Sequence, residues 1–384
     1  MRLVQTTEGS TKLLVPRASL EELVPPTFPV FFNPAAATNR DISVAVASVA
    51  EGTTFCDALA GVGSRGLRVA KEVARRIEVT MVDFNGESLE VARRSARANG
   101  VLGRCRFVEA EAGSFLSSRY GRVEKFDFVD VDPFGTPVRF MQGALTAASD
   151  RGMVSLTATD TAVLCGVHRE VCRRRYGADP LNNHFHHETA VRILLNSLRR
   201  QAASLDIGLE PVLAHSTKHY VRVYVLMRVG PSKADAAMEN EGYVTWCPKC
   251  SHSESLTQPV LACAACGSKV RCAGPLWTGR LTNVGVLGRA LENARRRKFK
   301  EASRILSSLA RVDDFPPWSF SMEQICSSLG VPSVPDEKVA KALKDAGFAS
   351  SRQPFEKTGL KTDAGYADVV RAVALVSGSR KRES

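Results

Sequence analysis

TFCDALAGVGSRG, residues 54–66, decides the fold. A short run of β-formers ends at Asp57, a GxGxxG turn built on Gly61, Gly63 and Gly66 follows, and residues 64–76 carry a helical pattern. Glycines let backbone approach a ligand closely, and a helix N-terminus favours a carboxylate or phosphate. Working outward, IEVTMVD, RCRFVEA, FDFVDVD and GMVSLTA repeat the strand pattern, with a second helix over 87–99 stopped at Asn99-Gly100. Strands alternating with helices predict an α/β, doubly wound, Rossmann-like sheet. After a longer helix over 188–205, GLEPVLAHS and HYVRVYVLMRV read as an antiparallel hairpin at the sheet edge, with Val221, Val223, Val225 and Met227 on one face.

Asp83 closes the strand after the glycine turn, where a carboxylate accepts the hydroxyls of a ribose. NAD and S-adenosylmethionine both present that ribose, so Asp57, Gly61, Gly63 and Asp83 leave the choice of cofactor open. The next decisive stretch is FDFVDVDPFGTP, which puts Asp132, Pro133 and Phe134 at a strand's carboxyl end. Asp132 and the Pro133 carbonyl are two acceptors beside an aromatic stacking face. An exocyclic amine needs that set, because accepting its two hydrogens localises a lone pair otherwise delocalised into the ring. A dehydrogenase has no use for it, so the reading turns to a methyltransferase using S-adenosylmethionine.

The chain has 384 residues, enough for two domains and an insert. We expect an N-terminal arm with cofactor-mouth loops over 1–52, the catalytic domain over 53–232, PSKADAAMENEG as a linker, and a smaller α+β C-terminal domain over 233–384. The formal charge is +12, and residues 267–384 hold 21 Lys or Arg against 12 Asp or Glu. A field of that sign attracts polyanions, which makes nucleic acid the leading partner and the C-terminal third its docking surface. A basic helix is predicted through LENARRRKFKEASRILSSLA, with Arg295, Arg296, Arg297, Lys298 and Lys300 toward phosphates. The opening MRLVQTTEGSTKLL is not a signal peptide, and no window approaches about 18 consecutive apolar residues. The expectation is a cytoplasmic protein off the membrane, with no obligate protein partner evident.

Cys247, Cys250, Cys263 and Cys266 form two CxxC knuckles twelve residues apart. Four thiolates at this spacing close a tetrahedron around zinc, with no open position and hence a structural role. The other six cysteines are scattered, as a reducing compartment permits. His184, His186 and His187 cluster in NNHFHHETAV; their spacing on the approach to a helix is expected to scatter the rings into loop and capping contacts. Phe31, Phe32, Asn33 and Pro34, ahead of Asn39 and Arg40, belong to no periodic segment and read as an arm that either folds over the cofactor mouth or packs on the surface.

Together, Glu8-Gly9, FFNP with NRDIS, the GxxSRGLR turn, VDFN, DVDPFGTP, TATDTAVLCG, the knuckles and AGPLWTGRL resemble the tRNA guanine-26 N2-dimethyltransferase family, of archaeal type. The resemblance spans nearly the whole chain, and DPFGTP with TATDTA is its most specific part. It implies transfer of two methyl groups from S-adenosylmethionine to the N2 amine of that guanine in tRNA, by a class I domain joined to a C-terminal domain with a winged-helix-like end. It also implies that Arg40 and Arg65 reach the donor's carboxylate, Asp83 its ribose, and Glu111 and Ala112 its adenine. Asp132, Pro133 and Phe134 would then be catalytic, with Phe32, Asn33 and Thr157 on the substrate side. Two departures stand out: Glu111-Ala112-Gly113 replaces the family's Asp-Ala-Asn, and FFNPAAATNRD lacks its tyrosine and bulkier residue. An adenine N6 methyltransferase of DNA would show a second proline after Pro133, where Phe134 stands. A nicotinamide oxidoreductase leaves DPFGTP unexplained, and a noncatalytic RNA-binding module leaves Asp57, Gly61, Gly63 and Asp83 unexplained.

Overall fold

The structure is a computed structural model, and it describes residues 1–22, 24–26, 29–217 and 219–378. The chain opens with a hairpin of β1 (Leu3–Glu8) and β2 (Thr11–Pro16). Its turn carries Gly9 at φ +58°, and a Cβ there would lie 2.5 Å from the Glu72 carboxylate, so only glycine lets the turn sit this close.

The central sheet contains β3 (Thr54–Asp57), β4 (Glu78–Asp83), β5 (Cys105–Glu109), β6 (Phe126–Val131), β7 (Ala148–Ala158), β8 (Ile207–Thr217) and β9 (Tyr220–Val229). Their order is β5-β4-β3-β6-β7-β9-β8. The first five are parallel and the β8–β9 hairpin is antiparallel at the edge, as the alternation in the sequence implies. β3 and β6 are neighbours although two strand–helix units separate them in the chain. This reversal of strand order opens a crevice at their carboxyl ends, and such sheets bind ligands there.

Three expected elements differ. The helix after the glycine turn ends at Glu72 rather than 76, because Val73 turns extended with ψ 128°. PSKADAAMENEG is not a linker: Pro231–Met238 is a helix with proline in its first turn and Ala234 and Ala237 buried. The basic helix is two helices, Val284–Arg296 and Lys300–Leu309. Lys298 breaks it at φ +60°, while Phe299 is buried with the Arg68 guanidinium 5.1 Å above its ring. Arg297 is likewise engaged, donating to the Glu72 carbonyl, so of the five cations expected to face phosphates Arg295, Arg296, Lys298 and Lys300 are the exposed ones.

Beyond the sheet, β10 (Glu241–Trp246) is flanked by β11 (Ser253–Leu256) and β12 (Arg271–Trp277). The first apolar core runs from Leu13 to Val312, across the boundary expected at 232, and takes in Trp246, Trp277, Leu287 and, from farther along the chain, Phe355. A second core, from Phe320 to Val373, belongs to helices Met322–Leu329, Asp336–Asp345 and Tyr366–Val376. A small wing of β13 (Ser350–Arg352) and β14 (Leu360–Thr362) accompanies them, with Phe320 bridged to Leu360. Among the described residues, no helix is long and apolar enough to cross a membrane.

Candidate functional site

At the mouth of the crevice, Gly61 and Gly63 both take positive φ, +53° and +73°, and start the Ser64–Glu72 helix. Asp83, at the end of β4, accepts the Gly61 N–H at 2.7 Å on one oxygen and the Asn85 N–H at 2.9 Å on the other. Each oxygen keeps a second lone pair, so the carboxylate is fixed in place and still able to accept two hydroxyls. Asp57 lies deeper: its carboxylate accepts the Gly66 N–H at 2.9 Å and is almost fully buried. Burial and the neighbouring Asp130 push its carboxyl above the usual range, against the pull of Arg65. From this position Asp57 shapes the glycine turn rather than lining the cleft.

The N-terminal arm crosses this edge of the sheet. Asn85 donates to the Pro29 carbonyl, the Phe31 carbonyl lies 3.3 Å from where a Cβ on Gly61 would be, and the Phe31 ring meets Phe134 edge-on at 4.7 Å. Phe31 rather than Phe32 therefore faces the strand-end aromatic. Phe32 is 3% exposed beneath the Arg40 guanidinium, and the Asn33 side chain caps the turn Pro34–Ala36 by accepting the Ala35 N–H. Both positions correct the expectation that these two side chains face the substrate.

At the end of β6, Asp132 and Pro133 lead into Phe134, which is 66% exposed. Gly135 turns the chain at φ +75°, and its N–H donates to Thr159 Oγ1 at 2.6 Å, so the loop after β7 braces the turn. Asp132 is paired with Arg65, whose Nε lies 3.1 Å from Asp130. Arg222 on β9, with no exposure at all, pairs with Asp130 and donates to the Tyr224 hydroxyl at 2.8 Å and to Thr157. Burial pushes the Asp132 carboxyl up, but Arg65, Arg222 and a hydrogen bond from Thr157 outweigh it and hold it below the usual carboxylate range. Asp132 is thus an anion at neutral pH with its charge balanced from behind, and it can accept hydrogen bonds from the cleft. Thr157 is 1% exposed and supports this network instead of touching the surface.

Arg40 grips Glu8 through a two-pronged pair at 2.7 and 2.6 Å, and Arg65 is held by Asp130 and Asp132. Both arginines are engaged by protein carboxylates, Arg65 by Asp132 at the cleft edge itself. Glu111 caps the Ala112–Ser117 helix by accepting the Ser114 N–H at 2.7 Å, with Ala112 buried next to it.

The cysteine knuckles meet at the end of the β10–β11 hairpin. Cys247 and Cys266 Sγ are 3.6 Å apart, as are Cys250 and Cys263, and all four sulfurs lie within 4.8 Å of one another. A tetrahedron with Zn–S bonds of about 2.3 Å has edges of about 3.8 Å, whereas a disulfide needs about 2.05 Å. The donor set fits zinc with a closed, structural shell. The knuckle is docked on the C-terminal helices, with the Tyr366 hydroxyl donating to the Cys250 carbonyl and Ser251 to Gln324.

Residues 9–374 match the family of N2,N2-dimethylguanosine tRNA methyltransferases. The chain belongs to this family. Relatives named tRNA (guanine(26)-N(2))-dimethyltransferase include that of Methanosarcina acetivorans, 35% identical with 97% of this chain and 98% of that one covered. Another, from Methanopyrus kandleri, is 32% identical with 98% of each chain covered. Among solved structures, Trm1 from Pyrococcus horikoshii in complex with S-adenosyl-L-methionine superposes with a TM-score of 0.85 at 29% identity, covering 96% of this chain and 99% of that one.

Within this dimethyltransferase family member, sequence reasoning missed Glu8, Arg222, Tyr224 and Thr159, which hold the site from behind. The available signal was Arg222 and Tyr224 at i and i+2 in an otherwise apolar strand: polar groups on a buried face must find partners. The histidine expectation is also corrected. The His186 and His187 ring centroids are 4.2 Å apart, and His187 meets Glu356 at 2.8 Å, so the rings converge on the C-terminal domain instead of scattering.

Proposed function

We propose that this chain is a cytoplasmic tRNA (guanine-26 N2)-dimethyltransferase using S-adenosylmethionine, with Asp132, Pro133 and Phe134 at the reacting amine. The observation that carries the reading is Asp132, ionised by two buried arginines at the switch-point crevice beside an exposed Phe134. Asp83 and the Gly61–Gly63 turn would hold the donor's ribose and backbone, and Glu111 with Ala112 the adenine side. The donor, when bound, supplies a sulfonium-activated methyl group.

The guanine leaves its stack and enters beside Phe134, whose exposed ring, braced edge-on by Phe31, replaces part of the lost stacking. Its amine donates one hydrogen to Asp132 and one to the Pro133 carbonyl, which turns the nitrogen lone pair out of conjugation and toward the donor. Alignment supplies much of the rate, since the amine becomes acidic only as positive charge develops on it. Asp132 takes that proton and releases it to solvent. A second round needs space for one methyl and the remaining hydrogen presented again.

The test is mass spectrometry of unmodified tRNA after incubation with donor and enzyme. Wild type should yield dimethylguanosine at position 26. Asp132→Ala should lose on the order of 10²–10⁴ in rate while calorimetric binding of S-adenosylmethionine persists. Near-normal methylation by that variant removes the proposed role of the carboxylate.

A further inference from the structure

Cys165, His186 and His187 place one sulfur and two imidazole nitrogens within 4.8 Å of one another, away from the zinc knuckle. Cys165 sits just past the short helix Thr161–Leu164 that follows β7, and the histidines open the helix His186–Ala203. The hydrogen bonds fix the tautomers. His186 Nδ1 faces the Asn183 carbonyl, which can only accept, so Nδ1 carries the proton and Nε2 keeps its lone pair. His187 Nδ1 lies 2.8 Å from the Glu356 carboxylate, also an acceptor, and in the neutral ring this frees Nε2 in the same way. Glu356 is anchored in turn by the His187 backbone N–H at 3.0 Å. Imidazoles whose second nitrogen donates to a carbonyl or carboxylate are the ones pre-oriented to ligate a metal.

From this arrangement we infer that Cys165, His186 and His187 form a second divalent-metal site, of zinc type, at the seam between the catalytic and C-terminal domains. One soft thiolate with two imidazoles suits zinc, and three protein donors leave a fourth position for water. Glu356 is the outer carboxylate that orients His187, and it comes from the C-terminal domain, so a bound ion stiffens the seam. Both histidine side chains are a little over one-quarter exposed, which gives the ion an entrance, whereas Cys165 is buried. Binding displaces the Cys165 thiol proton to solvent, and no other bond changes. The inference stands apart from the methyl-transfer reading and does not depend on it.

The measurement is total bound metal, zinc plus cobalt, on the full chain purified with zinc and then titrated with cobalt(II). The expected total is two per chain, against one from the cysteine knuckle alone. Cys165→Ala and His187→Gln should each bring it to one with the circular dichroism unchanged, and Glu356→Gln should weaken the second ion by about 10–100-fold. If His187→Gln fails to fold, the wild-type total still decides. A wild-type total of one, or two ions retained in folded Cys165→Ala and His187→Gln, overturns the inference.

Discussion

Asp132 sits between opposing influences: burial favours its neutral form, while Arg65 and Arg222 favour the anion and prevail. A carboxyl whose folded pKa is depressed keeps its charge below the unfolded value. The ion-pair stabilisation is therefore present above the unfolded pKa and is lost as pH falls through the lower folded one. Activity follows the same limb if Asp132 must accept the amine proton. We predict a flat kcat/KM through neutral pH with an acid limb below the ordinary carboxylate range of about 3.9. Arg65→Gln removes the larger of the two attractive influences and leaves burial acting upward, so its acid limb should move to higher pH, while Arg65→Lys should stay close to wild type. A pH profile of single-turnover methylation checks this, and an unmoved limb in Arg65→Gln would show that another group sets it. Asp130 and Arg222 pair with no exposure at either side chain, a setting in which removing one partner of the pair costs about 3–5 kcal/mol.

The five parallel strands, the edge hairpin and the glycine turn were legible because their signals are local: β-branched runs, period-two alternation, and glycines between a strand and a helix. The zinc knuckle was legible for the same reason, four donors at fixed spacing. What escaped depends on partners far along the chain. The break between Val284–Arg296 and Lys300–Leu309 is set by Phe299 reaching Arg68 and by Arg297 reaching the Glu72 carbonyl, contacts across more than 200 residues. The ion pairs of Arg40 and Arg65 were not legible because the carboxylates that hold them, Glu8, Asp130 and Asp132, lie on other elements. Likewise the arm presents Phe31 rather than Phe32 because Arg40 covers the second ring. The helix break gives a prediction at this scale. Lys298 holds a left-handed conformation that costs an L-residue about 1–2 kcal/mol and glycine little. Lys298→Gly should raise the unfolding free energy by about 0.5–1 kcal/mol, read by chemical denaturation. A loss of stability would mean that the lysine side chain, not the backbone, sets the break.

At the scale of the molecule, two apolar cores meet across a seam that Trp318, packed against both, and Phe355, part of the first, share with a buried charge network. Lys361, on β14, is 1% exposed and donates to both oxygens of Glu188, at 3.0 and 2.8 Å, and to the Pro316 and Trp318 carbonyls. Glu188 has no exposure and also binds Arg192, whose remaining hydrogen bonds go to the Trp277 and Gly279 carbonyls. One carboxylate thus joins the catalytic domain's helix, the wing and the end of β12. Burial pushes the Glu188 carboxyl up, yet Lys361 and Arg192 hold it below its usual range, so the charges are well compensated. Lys361→Met takes away one of the two cations and leaves two carbonyls without a donor, which places its cost at about 3–5 kcal/mol. That cost should fall on the seam, because most of the second core, from Phe320 to Val373, and of the first, from Leu13 to Val312, keep their own contacts, with Phe355 and Trp318 bridging them. Hydrogen exchange of Lys361→Met should then show lost protection in 319–378 and in the first turns of His186–Ala203, with β3, β4 and β6 protected as before and S-adenosylmethionine binding retained. We propose that residues 319–378 dock the tRNA, and affinity for tRNA should then fall at the same time. Uniform loss of protection across the sheet would instead make the two cores a single cooperative unit, with Lys361 a contributor to global stability.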